Sequence, residues 1–185
     1  MSADSTFGPS ALATPSNFIT IIRVVVTPVL MYSVAEHGST WFAFIIWMIL
    51  ASTDKVDGML ARHQGATRSG AFLDPLADKL MVFGLFAVLV ARNEIWWLPV
   101  LVMAVRETWM SLYRSILGRK GISVPARPLG KAKTFVQVIV IGLVLIPGVY
   151  GTAKIEIGFL VWLATCLALV SGYFYYADGR VRNSA

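Results

Sequence analysis

Residues 54–62 read Asp54-Lys55-Val56-Asp57-Gly58-Met59-Leu60-Ala61-Arg62, and after seven further residues the chain continues Gly70-Ala71-Phe72-Leu73-Asp74-Pro75-Leu76-Ala77-Asp78-Lys79. Asp54 and Asp57 are three apart and Asp74 and Asp78 four apart, so on helices each pair shares one face. These four are drawn from only ten acidic residues in a 185-residue chain that is 57% hydrophobic, with a mean hydropathy of +0.70. An acid at the centre of a bilayer-spanning helix costs roughly 2.5–3.5 kcal/mol on insertion scales, so acids in such surroundings mark function. Four together repel one another unless cations lie between them. A pair of Mg²⁺ or Mn²⁺ ions, hard and drawn to carboxylate oxygen, is the fitting neutraliser.

The surrounding composition is that of a membrane protein built as one unit. Apolar stretches long enough to cross a bilayer occur near 17–36, 40–61, 71–91, 95–115, 133–150 and 155–176. The expected architecture is therefore all-α, with six transmembrane helices and short loops. Residues 1–16 form a juxtamembrane segment, 17–176 the catalytic membrane domain, and 177–185 a cytoplasmic tail. Thr14, Pro15, Ser16 and Asn17 offer a helix start. Residues 1–17 hold no Lys or Arg and no cleavage pattern, so no signal peptide is expected. His63 reads as a loop residue. Cys166, the single cysteine, excludes an internal disulfide and reads as a small buried hydrophobe.

Charge sets the orientation. Arg62, Arg68, Arg114, Arg119, Lys120, Arg127, Lys131, Lys133, Arg180 and Arg182 fall on one side, against Arg92 and Lys154 on the other. The positive-inside rule then places both termini and the acid-bearing loop in the cytoplasm of a cell (inner) membrane. The net charge of +6 suits an anionic lipid surface better than nucleic acid, which is not an expected partner. From Trp41 to Thr53, thirteen uncharged residues rise about 20 Å, short of the roughly 30 Å hydrocarbon core. Asp54 should thus lie within the cytoplasmic leaflet, tolerable only around a cavity open to water. The short 62–70 turn should make the second and third helices antiparallel neighbours, so both acid pairs meet. Four converging carboxylates suit a two-metal centre clamping a phosphoryl group. Gly58 and Ala61, on the face of Asp54 and Asp57, leave room for something large. A transporter would instead string its acids across the membrane.

A second constellation is basic. Arg106 and Arg114, eight apart, project from roughly one face of the fourth span, and Lys131 and Lys133 open the fifth. Such a pocket suits an acceptor carrying its own phosphate. Arg106 needs a partner inside the membrane, and Glu107, adjacent in sequence, should point elsewhere on the helix. Asn17, Thr20 and Arg23 add a polar stripe at three-residue spacing on the first span. Trp96 and Trp97 read as interfacial belt residues on the outer side.

The ordered run Asp54-x-x-Asp57-Gly58-x-x-Ala61-Arg62-x7-Gly70-x-x-x-Asp74-x-x-x-Asp78 resembles the signature of the CDP-alcohol phosphotransferases, six-helix membrane enzymes of phospholipid synthesis. Residues 72–79, Arg106-Glu107 with Arg114, and residues 129–134 are closer still to the branch that uses glycerol 3-phosphate. The resemblance implies transfer of a phosphatidyl group from CDP-diacylglycerol to an alcohol, with CMP leaving. It implies that Asp54, Asp57 and Asp74 hold metal, and that Asp78 holds metal or takes the attacking proton. Gly58, Ala61 and Arg62 would contact the CDP portion. Arg106, Arg114, Lys131, Lys133 and Arg23 would receive the acceptor phosphate. It also implies a homodimer. Inositol phosphate or a second phosphatidylglycerol remain alternative acceptors; serine fits the basic pocket poorly.

Overall fold

A computed structural model describes the backbone of residues 15–64, 70–119 and 128–184, and the side chains of residues 20–53, 77–118 and 129–180. The described residues form helices and no strand: α1 (Pro15–His37), α2 (Trp41–Gln64), α3 (Gly70–Ala91), α4 (Trp97–Arg119), α5 (Pro128–Leu145), the single turn α6 (Val149–Thr152) and α7 (Lys154–Ser184). The six long helices run 18 to 31 residues, or about 27 to 46 Å. On composition, only Lys154–Arg180 is both long and apolar enough to cross a membrane among the described residues. Trp41–Thr53 of α2 is a shorter apolar stretch.

Local chemistry sets the boundaries. Pro15 opens α1, where a missing N–H is harmless. Gly38 (φ 69) follows α1 and donates its N–H to Val34 O at 2.9 Å, a C-terminal cap in the left-handed region. The fifth stretch ends earlier than the expected 133–150: α5 stops at Leu145, because Pro147 cannot continue it and Gly148 turns the chain at φ 83. It also begins earlier, at Pro128. α2 continues through Arg62 and His63 to Gln64, so His63 belongs to a helix and not to a loop. α7 runs on to Ser184, so residues 177–184 are helical. The reason is packing: a Cβ on Gly179 would sit 2.7 Å from the Tyr113 hydroxyl, so α7 still lies hard against α4 there.

Helix packing runs α1 on α2 and α3, α4 on α3 and α7, and α5 on α2, α3 and α7. The expected side-by-side contact of α2 and α3 is not among the main packings of the described residues; α1 joins the two. The core between them is apolar, with Leu30, Val34, Trp47, Leu85, Phe86, Leu89, Met103, Ile141 and Leu145 all buried. Trp47 also donates its indole N–H to Val138 O at 3.1 Å, fixing α2 against α5. The outward faces are apolar as well: Val25, Val29, Ile45, Ile49, Leu101, Val105, Trp109 and Phe159 are exposed. A surface of this kind matches hydrocarbon, not water. Cys166 lies on it, exposed, in place of the expected buried position, because its position on α7 faces away from the α4 and α5 contacts.

Candidate active site

The acid pairs fall where the two halves of the signature become helix. Asp54 and Asp57 lie toward the C-terminal end of α2, and Asp74 and Asp78 in the first turns of α3. Unbroken helix over each pair keeps its members on one face. The side chains of Asp54, Asp57 and Asp74, and of Gly58, Ala61 and Arg62, lie outside the described residues, as do Arg127 and Lys120. Asp78 is described. Its Oδ1 accepts a hydrogen bond from Arg23 Nη1 of α1 in an ion pair. Arg23 is 2% exposed and Asp78 35%. Thr20 and Thr27 are buried on the same helix, so the Thr20 and Arg23 positions of the polar stripe turn inward, while the Asn17 side chain lies outside the described residues. Arg23 thus reaches the acid cluster, and its partner is a carboxylate of that cluster.

A half-buried cationic cluster begins at the very next residue. Lys79 Nζ donates to Ser111 Oγ on α4, and Ser111 donates onward to the Glu107 carbonyl at 2.8 Å. Glu107 is the hub. Its Oε1 accepts from both Arg106 Nη1 and Lys133 Nζ, and all three side chains are 14% exposed or less. The expectation that Glu107 points away from Arg106 is therefore corrected. Neighbouring positions do diverge on a helix, but both side chains are long enough to bend into the gap between α4, α5 and α7. Arg106 Nη2 donates to Ser171 Oγ of α7 at 2.9 Å, while its Nε is buried with no hydrogen-bond partner among the described residues. A Cβ on Gly172 would stand 2.7 Å from that Nε, so the glycine lets the guanidinium lie close against α7.

Arg114 is exposed one helix face along, its Cζ 5.3 Å from the Tyr175 ring centroid, a cation–π distance. The charges of Lys79, Arg106, Arg114 and Lys133 are near enough to act on one another. Among the described contacts, Glu107 is the carboxylate that Arg106 and Lys133 share. Lys131 is exposed at the start of α5. The structure therefore brings Arg106, Lys133 and Arg114 together, adds Lys79, and ties Arg23 to the acids. Lys79 and Ser171 were missed in the sequence: Lys79 stood in the motif as a bystander, and nothing in the α7 sequence signals Ser171.

Acids and cations thus share one end of α3, meeting at Asp78 and Lys79. A family profile described as CDP-alcohol phosphatidyltransferase matches residues 13–174, which takes in both groups. The chain belongs to that family. Among curated relatives of this phosphatidyltransferase, a "Probable phosphatidylglycerophosphate synthase" of Mycobacterium tuberculosis is 34% identical over 190 residues, covering 96% of this chain and 90% of the relative. A "CDP-diacylglycerol--glycerol-3-phosphate 3-phosphatidyltransferase" of Rickettsia typhi is 30% identical, covering 86% and 93% respectively. One of the same name from Escherichia coli is 35% identical, covering 69% and 74%.

Proposed function

We propose that this phosphatidyltransferase moves a phosphatidyl group from CDP-diacylglycerol to glycerol 3-phosphate, giving phosphatidylglycerophosphate and CMP. The names of the relatives support this reading. The observation that carries it is the gathering of Lys79, Arg106, Arg114 and Lys133 around Glu107, next along α3 from Asp78. An acceptor that bears its own phosphate is held there by charge-assisted contacts to Arg106, Arg114 and Lys133. Arg106 and Lys133 are held ready by Glu107, and Lys79 by Ser111. The acceptor hydroxyl oxygen forms a bond to the lipid-side phosphorus, the pyrophosphate P–O bond breaks, and CMP leaves with the electron pair. Of the four aspartates, Asp78 is the one whose side chain is described, and it would receive the hydroxyl proton. Arg23 orients it.

Asp54, Asp57, Asp74 and Asp78 suit hard divalent ions: all are oxygen donors, paired on helix faces at one end of the bundle. Two Mg²⁺ or Mn²⁺ ions there would supply charge neutralisation of the pyrophosphate. Gly58, Ala61 and Arg62, which follow Asp57 in the signature on α2, would contact the CDP portion. The remaining work is positioning, which phosphoryl transfer chiefly requires. We read the six long helices as spanning the bilayer, with the acid-bearing end and both termini cytoplasmic, and the assembly as a homodimer.

The test supplies purified protein with CDP-diacylglycerol, Mg²⁺ and, in turn, glycerol 3-phosphate, inositol 1-phosphate, serine and phosphatidylglycerol. Phosphatidylglycerophosphate should be the dominant lipid formed. A better yield with another acceptor would move the substrate assignment while keeping the reaction class. Orientation is checked with single cysteines at Gln64 and Asn93 in a Cys166→Ser background. An impermeant thiol reagent should reach the two from opposite sides.

A further inference from the structure

At the other end of α3, some 20 Å from Asp78 by helix rise over residues 78–91, lies a cavity of about 470 Å³. That volume falls in the range of small-ligand sites. Its walls come from the α3–α4 turn, α6 and the start of α7. The aromatic part is Trp96, Trp97, Tyr150 and Trp162, with the Trp96 and Trp162 rings edge to face at 5.8 Å between centroids. Two lining residues are charged, one of each sign: Glu94 and Lys154.

Glu94 is half committed. Its Oε1 accepts from Arg92 Nε at 2.9 Å, and Arg92 Nη1 is spent on the Ala35 carbonyl at 2.7 Å. Its Oε2 is buried with no hydrogen-bond partner among the described residues. A buried carboxylate oxygen without a donor is costly to keep, and the aromatic residues that line the same cavity are a usual complement of an ammonium group. Lys154, whose Nζ lies 5.2 Å from the Tyr150 centroid, supplies the matching site for an anion. One acid, one base and an aromatic wall complement a zwitterion.

We propose that this cavity binds the headgroup of a phospholipid whose ammonium pairs with Glu94 and the tryptophans, and whose phosphate pairs with Lys154. The tryptophans and the exposed apolar helix faces below them put the cavity at headgroup level. This source rests on the membrane-spanning reading above. The bound lipid is a structural or regulatory ligand, since it sits at the end of the bundle away from the acid pairs.

Native mass spectrometry of the purified protein in detergent tests it, with phosphatidylethanolamine and phosphatidylglycerol of the same acyl chains. Phosphatidylethanolamine should be retained at a concentration roughly tenfold lower than phosphatidylglycerol, the scale of one charge-assisted contact. Glu94→Gln should erase that preference, and Trp162→Leu should weaken phosphatidylethanolamine binding severalfold. CMP release should stay at the wild-type rate in Glu94→Gln. Equal retention of the two lipids, or a preference unchanged in both variants, would overturn the proposal. So would displacement by free phosphoethanolamine at equal concentration, which would make the ligand a soluble one. A wild-type protein with the lipid preference but no transferase activity would sink the proposed reaction alone.

Discussion

The two ends of α3 are held by different forces. At its N-terminal end, Asp78 and Lys79 are tied to α1 and α4 through Arg23 and Ser111, within a web of charge that includes Arg106, Glu107 and Lys133. Toward its C-terminal end, Leu85, Phe86 and Leu89 are fully buried, and the helix is held by packing. Buried ion pairs add little net stability against apolar residues of equal volume, because desolvation offsets the attraction. Packing of apolar side chains, by contrast, is lost directly when a cavity opens. One end is built to hold charge in place for chemistry, the other to hold the bundle together. Substitutions should separate the two.

The largest effect should come from the acids. Asp57→Asn should lower turnover roughly a thousandfold, in line with the loss of preorganised electrostatic stabilisation, while the unfolding midpoint in detergent barely moves. EDTA should abolish wild-type activity and Mg²⁺ or Mn²⁺ restore it. Full activity of Asp57→Asn, or a collapse of its stability, would erase the distinction between the two ends. The converse test is Phe86→Ala. It should destabilise by about 3–5 kcal/mol and leave CMP release per folded molecule near wild type at low temperature.

Much of this contrast was legible in the sequence. Three- and four-residue spacing of acids survives as unbroken helix in α2 and α3, because nothing but the helical period is needed to put each pair on one face. The end of the fifth span was read less well: a stretch to residue 150 was expected, and α5 stops at Leu145, ahead of Pro147 and Gly148. Partner choice was not legible. Glu107 sits about 100° from Arg106 around α4, yet α5 and α7 present Lys133 and Ser171 to the same gap, and long side chains close the difference. Lys79 is equally a matter of which helix lies opposite, and so is the exposure of Cys166. Spacing reports one helix; these contacts depend on two or three.

Smaller effects sharpen the basic side of the comparison. Arg114→Ala should raise KM for glycerol 3-phosphate about ten- to a hundredfold, the loss of one charge-assisted contact of about 1.5–3 kcal/mol. KM for CDP-diacylglycerol should hardly change. Equal weakening of both substrates would make Arg114 a structural residue. Gly172→Ala should act more gently. Its Cβ would stand 2.7 Å from Arg106 Nε, so the guanidinium must shift, and KM for glycerol 3-phosphate should rise severalfold with stability within about 1 kcal/mol of wild type.

The central claim, that acid pairs from α2 and α3 converge on two divalent ions, is tested most directly by Mn²⁺ titration followed by electron paramagnetic resonance. Wild-type protein should bind two Mn²⁺ per chain with the spectrum of a coupled pair, as ions about 3.5–4 Å apart give, and Asp57→Asn should lose the coupled signal. A single isolated ion in the wild type, or a coupled pair that survives Asp57→Asn unchanged, would contradict the account.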